Sequence, residues 1–153
     1  MIRRILVPVD GSEHSFKAIE FSSVLAQQND ATVCLLHVAK TEDIPEALRD
    51  YMRSEGVKEN PHALYLQIAE DRVLIPAEDE ARRKGIKNIE KSCLQGDPAE
   101  EIINFAKENE FDLIILGFGS SVGEELDVLK DIAESLLQLV QFPELWGEQI
   151  DCL

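Results

Sequence analysis

The sequence has no apolar run close to the roughly 18 residues that a membrane-spanning helix needs. Its opening residues, Met1 to Ile5, contain two arginines and lead directly into an apolar stretch, which is unlike a targeting peptide. Positive charge is also scarce: 15 Lys and Arg stand against 30 Asp and Glu, for a formal net charge of -15. Nucleic acid and anionic membranes are therefore poor partners, and we expect neither.

The motifs of common catalytic and metal centres are also missing. The three cysteines, Cys34, Cys93 and Cys152, have no CxxC spacing, and the three histidines are scattered. There is no GxGxxG fingerprint, no GxxxxGK[ST] loop and no GxSxG elbow. We therefore predict no catalytic residue and no metal site. The odd cysteine count, without a secretory signal, favours a reducing, cytoplasmic compartment.

The negative charge is concentrated in one part of the chain. Residues 97–153 contain 14 acidic and 2 basic side chains, whereas residues 1–96 contain 16 acidic and 13 basic ones. A solvated face that aids solubility is the favoured interpretation, ahead of a functional role.

Apolar stretches with strand and helix patterns alternate along the first third of the chain. The hydrophobic share of 44% is ordinary for a globular protein. Ile5–Val9 is short, apolar and β-branched, as a buried parallel strand should be. Ser12 is a suitable N-cap for a helix to about Gln28, whose apolar face includes Val24. Thr32–Val38 is predicted to be a second buried strand.

The middle of the chain is interrupted by proline and glycine. Residues 39–60, which contain Pro45 and Gly56, form either a long loop or a loosely helical excursion. A second helical stretch covers about residues 61–84, with Gly85 at its C-terminal end. Pro76 must kink or split this stretch because it cannot donate a main-chain hydrogen bond. Residues 86–94 alternate in polarity, which is typical of an edge strand.

Helix and strand patterns continue to alternate in the last third of the chain. Asp97-Pro98 begins a helix that runs to about Asn109, and residues 112–117 form the strongest apolar strand of the chain. A Gly/Ser loop follows, and a last helix covers about residues 124–141. Alternating strands and helices predict a parallel sheet covered on both faces. We expect a single domain over residues 1–153, with an irregular tail from about residue 143.

Four segments resemble the universal stress protein family: Ile5–Ser12, Leu36–Val38, Gly96–Ile102 and Asp112–Gly117. The resemblance implies an α/β, Rossmann-like (adenine nucleotide alpha hydrolase-like) open parallel sheet with helices on both faces. It implies the strand order 3-2-1-4-5 and a homodimer formed through the fifth strand. Residues 144–153 are a poor match to that strand, which is therefore degenerate. Many family members hold ATP at the carboxyl ends of strands one and four, where open α/β sheets place ligands.

The phosphate-binding pattern of ATP-holding members is eroded in this sequence. That pattern is Gly, two residues, Gly, nine residues, Gly, then Ser or Thr, and its main-chain N–H groups contact the phosphates. Counted from Gly117, the second glycine position is Ser120, the third is Lys130, and the hydroxyl position is Asp131. A carboxylate about 4 Å from a phosphate charge costs about 4 kcal/mol at an effective dielectric near 20.

The adenosine half matches better. Asp10 corresponds to the family's ribose-side acid, and Val9 and Val38 correspond to residues of the adenine slot. The alternative is that Asp10 only begins an Asp-Gly-Ser turn. From the residues alone both interpretations stand, and the resemblance favours a degenerate nucleotide pocket. Its candidate residues are Pro8, Val9, Asp10, Val38, Leu116, Gly117, Gly119, Ser120, Ser121 and Gly123.

Two functions remain open, and an enzyme of a related fold ranks below both. The first is a stress-response module that acts through protein interaction, as a homodimer with protein partners that the sequence does not name. ATP binding is then lost or weakened, and no cofactor is expected, with ATP or AMP at most weak ligands. The alternative is an adenine-nucleotide-binding sensor or weak ATPase that uses the Gly117–Gly123 loop.

Overall fold

Four parallel strands form the sheet in the computed structural model, which describes residues 1–40 and 44–117. The strands are β1 (Arg4–Pro8), β2 (Thr32–Ala39), β3 (Asn88–Gln95) and β4 (Leu113–Ile114), in the order β3-β2-β1-β4. The predicted open parallel sheet is confirmed, and β3 lies at an edge of the described sheet. The last predicted helix, the degenerate fifth strand and the tail lie outside the described residues.

The first helix begins and ends where the sequence predicts. Helix α1 spans Glu13–Asn29, and the Ser12 side chain accepts a hydrogen bond from the main-chain nitrogen of Ser15 at 3.3 Å. Asp30 ends the helix in the left-handed conformation, with a φ of 52°. The predicted buried position of Val24 is wrong, since 53% of that residue is exposed. At 3.6 residues per turn, Val24 points about 140° away from buried Ile19.

Helices cover both faces of the sheet. On one face, Ile5 and Val7 of β1 pack with buried residues of α1 and of α4 (Ile75–Arg83). On the other face, Leu6 packs with buried residues of α5 (Pro98–Glu108). Successive residues of β1 thus alternate between two apolar clusters, as side chains on a pleated strand must. None of the described helices is long and apolar enough to cross a membrane.

The second helical stretch runs from residue 61 to residue 83 with one interruption. It comprises α3 (Pro61–Ala69), a π-helical segment (Glu70–Leu74) and α4. Pro76 lies at the start of α4, directly after the π-helical segment. The kink or split predicted from Pro76 is therefore confirmed. The wider π turn accommodates proline, since that residue has no N–H to donate. Gly85 ends the stretch with a φ of +92°, as predicted.

The uncertain stretch at residues 39–60 contains a helix. Helix α2 spans Glu46–Ser54, after Pro45 at the N-cap, and Met52 is its buried residue. Of the two interpretations left open, the helical one is therefore confirmed for this part. Gly56 follows with a φ of +64°.

The strand predicted as strongest is the shortest in the described sheet. Strand β4 pairs with β1 only at Leu113 and Ile114, although the main-chain nitrogen of Ile115 still donates to the oxygen of Leu6 at 2.9 Å. Arg4 and Leu6, the first even-numbered residues of β1, form their main-chain hydrogen bonds with the β4 segment. The next even-numbered residue is Pro8, which has no N–H to donate to β4. Apolar content predicts burial of a strand but not the length of its ladder.

Candidate functional site

The candidate residues in the described part of the chain lie at the carboxyl ends of three strands. Pro8 ends β1 and is followed by Val9 and Asp10, while Val38 lies near the end of β2. Leu116 and Gly117 follow β4. The predicted residues Gly119, Ser120, Ser121 and Gly123, like Lys130 and Asp131, lie outside the described residues.

Asp10 organises the turn between β1 and α1. Its Oδ1 accepts hydrogen bonds from the main-chain nitrogen of Ser12 at 2.9 Å and from the Ser15 hydroxyl at 2.5 Å. The main-chain nitrogen of Asp10 in turn donates to Ser15 Oγ at 2.9 Å. The interpretation of Asp10 as a turn-forming residue therefore has direct geometric support.

Asp10 is held in its charged form. Partial burial raises the pKa of the carboxyl, but hydrogen bonds from Ser12 and Ser15 outweigh that effect and lower the pKa below its usual value of 3.8. Both bonds end on Oδ1, so within the described part of the chain Oδ2 can accept a hydrogen bond from a ligand. The charge also lies beside the first turn of α1, where the helix dipole favours an anion.

Ser15 is a residue of this site that the sequence reasoning missed. It is 3% exposed, and its hydroxyl contacts Asp10 through both the main chain and the side chain. A serine three residues after an N-cap serine, in the run Asp-Gly-Ser-x-x-Ser, was the available signal. Its role is to fix the orientation of the Asp10 carboxylate.

The two valines predicted to line one slot lie on opposite faces of the sheet. Val9 is 4% exposed and belongs to the apolar cluster with α1 and α4. Val38 is half-buried and packs against the cluster on the α5 face, as does Leu116. Val38 and Leu116 therefore share a face of the sheet at which an apolar ligand group could pack. The Val9 side chain lies on the opposite face.

His37 links the ends of β1 and β2. Its Nδ1 lies 2.8 Å from the main-chain oxygen of Val9, and the ring is half-buried. The main-chain nitrogen of Val9 donates to Leu36 at 2.8 Å, so both polar groups of Val9 have partners. The prediction that His37 is a satisfied interior residue is confirmed, and its interaction holds the β1 end of the site in place.

Gly117 is in close contact with the first turn of α1. A Cβ atom placed on Gly117 would overlap the main-chain carbonyl of His14 and would lie 3.2 Å from the main-chain nitrogen of Ser15. Only a glycine fits at this approach of two backbones. The position requires glycine for packing, whether or not a phosphate binds nearby.

A family model described as the universal stress protein family matches residues 1–144. The chain is 31% identical to universal stress protein YxiE of Bacillus subtilis, over 95% of this chain and 98% of the relative. It is 28% identical to universal stress protein MJ0531 of Methanocaldococcus jannaschii, over 95% and 81% of the two chains. The chain therefore belongs to the universal stress protein family.

Solved structures agree with the fold. Hypothetical protein MJ0577 matches with a TM-score of 0.65 and 20% identity, covering 88% of this chain and 90% of that one. A universal stress protein solved in complex with cAMP matches with a TM-score of 0.59 and 24% identity, covering 88% of this chain and 91% of that one.

Among the described residues, no group of three or more His, Cys, Asp or Glu side chains could hold a metal ion.

Proposed function

We propose that this universal stress protein acts through contacts with other proteins and binds ATP weakly or not at all. The observation that carries the proposal is the contact between Gly117 and His14. Gly117 is the single glycine of the phosphate-binding pattern that remains in register, and its packing explains its presence without a nucleotide. Its retention is therefore no sign of a working phosphate site.

The residues at the other pattern positions also oppose phosphate binding. Ser120 and Lys130 replace glycines at which main-chain N–H groups would approach the phosphates, and Asp131 replaces a hydroxyl with a negative charge. Lys130 offsets part of the repulsion from Asp131 as a point charge. Residues 97–153, with 14 acidic and 2 basic side chains, add long-range repulsion of a polyanion, reduced by salt.

The proposal includes a homodimer as the working form and no catalytic step. Support for the dimer comes from the family resemblance. A protein partner is favoured over a polyanionic one because of the net charge of -15.

A second function, adenine-nucleotide sensing, is supported by the other half of the site. Asp10 is charged and offers Oδ2 to a ribose hydroxyl, and Val38 and Leu116 offer apolar surface on one face. A protein of the same fold has been solved with cAMP, whose single phosphate group carries less charge than a triphosphate. This alternative predicts binding of adenosine or cAMP at least as tight as binding of ATP.

Calorimetric titration of the full chain with ATP–Mg²⁺, adenosine and cAMP separates the two functions. No heat with any of the three ligands supports the interaction module. Heat with adenosine or cAMP but not with ATP supports a base-recognising sensor. Micromolar binding of ATP would refute the proposal that this chain binds ATP weakly or not at all.

A restored pattern provides the complementary experiment. The variant Ser120→Gly/Lys130→Gly/Asp131→Ser has the residues of the ATP-holding pattern at all four positions. We expect it to bind ATP–Mg²⁺ at least about tenfold more tightly than the parent chain, equivalent to about 1.4 kcal/mol. Asp127→Ser, which removes one negative charge outside the pattern positions, tests the effect of charge alone, since the triple variant loses Lys130 and Asp131 together and keeps its net charge. An equal gain from both variants would mean that general charge, and not the pattern, limits binding.

A further inference from the structure

An open surface cavity lies between α2 and α3, away from the ends of β1 and β4. Its volume is about 440 Å³, within the range of small-molecule sites. It is lined by Arg49, Met52, Arg53, Val57, Glu59, Pro61 and His62. Here it is called the α2–α3 cavity. We propose that the α2–α3 cavity binds a small organic anion, a carboxylate or phosphate monoester attached to an apolar body.

Two arginines supply the positive charge of the cavity lining. Arg49 and Arg53 are one turn apart on α2, so both guanidinium groups lie on the same side of the helix. Within residues 1–40 and 44–117, Arg49 has no ion pair. Arg53 approaches Asp50 at 4.0 Å, with 79% and 65% of the two side chains exposed, so this pair is weak.

An arginine side chain without an ion pair is available to a ligand. Acidic residues outnumber basic ones by 30 to 15, so carboxylates are available to pair with every arginine. An arginine lining a cavity without such a partner keeps its planar N–H groups available for a carboxylate or phosphate. The excess acid elsewhere on the chain would limit the site to ligands of low charge.

His62 adds a ring that hydrogen bonds hold in place. Gln95, the last residue of β3, places its amide nitrogen Nε2 3.0 Å from His62 Nδ1. This contact engages Nδ1, and among the described residues Nε2 makes no hydrogen bond, so it is left for a ligand. The main-chain nitrogen of His62 is bonded to the Asn60 side chain at 2.9 Å, which fixes the start of α3. The ring is thereby held in place at the cavity wall.

The remaining lining residues select an apolar body. Met52 is 3% exposed and forms a buried base, and Val57 and Pro61 contribute further apolar surface. Methionine adapts its shape to irregular apolar groups. Glu59 is the one negative side chain among the described lining residues. It opposes a second negative charge on the ligand and can accept a hydrogen bond from a ligand hydroxyl or amine. The combination favours a carboxylate that carries an aromatic or aliphatic group over a phosphate monoester, which carries between one and two negative charges near neutral pH.

The test uses benzoate and phenyl phosphate as probes of the full chain, followed by two-dimensional ¹H–¹⁵N NMR. Saturable shifts are expected at α2 and at His62, with little change at Asp10 and Gly117. Benzyl alcohol is the neutral control, and inorganic phosphate tests whether charge alone is sufficient. Comparing benzoate with phenyl phosphate separates carboxylate from phosphate recognition.

Two charge variants make the assignment specific. Arg49→Gln and Arg53→Gln are each expected to weaken probe binding about tenfold, because each removes a charge-assisted hydrogen bond. Lys58→Gln removes a charge from the same surface without lining the cavity, and it is expected to leave the affinity unchanged. All three positions are exposed, so the variants should fold.

Three outcomes would overturn the proposal: no saturable shift at millimolar probe, equal weakening by Lys58→Gln, or inorganic phosphate binding as tightly as phenyl phosphate. The proposal does not depend on the nucleotide site. ATP binding reported at Asp10 and Gly117 would refute the proposed function and leave this cavity untouched.

Discussion

The Oδ2 atom of Asp112 lies 2.8 Å from the main-chain nitrogen of Arg3, a residue 109 positions earlier in the chain. The same oxygen accepts a hydrogen bond from the main-chain nitrogen of Arg4 at 3.0 Å. One carboxylate thus joins the start of β1 to the start of β4. The hydrogen bond from Arg3, with a smaller contribution from Arg4, lowers the pKa of Asp112 below 3.8 despite an opposing effect of burial.

Asp112→Asn is expected to lower the free energy of unfolding by about 1 kcal/mol near neutral pH, because the amide oxygen is a weaker acceptor. A carboxyl whose pKa is lowered on folding stabilises the fold fully above its unfolded pKa, and that contribution is lost as the pH falls through the folded value. The difference between variant and parent should therefore narrow below about pH 3.8. Urea unfolding at several pH values measures it.

Asp79→Asn is the matched control for Asp112→Asn, since Asp79 is exposed and has no hydrogen bond or ion pair among the described residues. It should leave stability nearly unchanged across the same pH range. If Asp112→Asn shows no larger pH-dependent difference than this control, the carboxylate does not fasten the two strands.

Ser15→Ala is expected to lower the free energy of unfolding by about 1 kcal/mol, because the partly buried N–H of Asp10 loses its acceptor. It should also raise the pKa of Asp10, since the hydroxyl of Ser15 donates to the charged carboxylate. Urea unfolding and a ¹³C NMR titration of the Asp10 carboxyl report the two effects separately.

Ser23→Ala serves as the control on the same helix. Ser23 is 5% exposed, and its hydroxyl donates to the main-chain oxygen of Glu20 at 2.6 Å. That oxygen belongs to the helix interior, so removal of the hydroxyl should cost less and leave the pKa of Asp10 unchanged. An unchanged Asp10 pKa in Ser15→Ala would contradict the assigned role of Ser15.

Gly117→Ala should lower the free energy of unfolding by about 1–3 kcal/mol, the usual cost of forcing an extra methyl group into a packed contact. The cause is overlap between the new Cβ and the His14 carbonyl. Gly56→Asn is a suitable comparison, because nothing lies within 4 Å of a Cβ there and asparagine tolerates a positive φ. Equal stability of Gly117→Ala and the parent in urea would show that the end of β4 does not press on α1.

The thiol of Cys34 is expected to resist modification in the folded protein. Burial raises its pKa to about 11, with a smaller contribution from the Glu90 charge. At about pH 8 only about one thiol in a thousand would then be ionised, and only the thiolate reacts. In a Cys93→Ser/Cys152→Ser chain, alkylation should be at least about a hundredfold slower than in denaturant. Comparable rates in both conditions would mean that the β2 core opens readily.

The parts of the fold that depend on local signals could be predicted from the sequence. Ser12 and Asp30 mark the two ends of α1 because capping is decided within one turn. Pro76 indicates a break for the same reason, yet it does not reveal that the break is a π-helical segment. The short hydrogen-bond ladder of β4 could not be predicted, because it depends on pairing with β1, more than 100 residues earlier in the chain.

The candidate site shows the same difference between features set by local sequence and features set by three-dimensional packing. Asp10 was found because a carboxylate after an apolar strand is visible in the sequence. Ser15 was missed because its partner is set by the three-dimensional turn. Val9 and Val38 were predicted together, yet strand pleating directs them to opposite faces. The α2–α3 cavity depends on the packing of two helices, which no local pattern in residues 39–60 specifies.

The π-helical segment at Glu70–Leu74 has a consequence for how this chain tolerates insertions and deletions. The π-helical segment rotates α4 about the helix axis relative to α3. As a result α3 contacts β3, while Ala77 and Ala81 of α4 pack in the apolar cluster that includes α1. Deleting one residue there would restore a regular helix locally but rotate α4 by about a quarter turn. The extra residue thus keeps both halves of the helix in phase with their separate neighbours. Relatives without it would need compensating changes on α1.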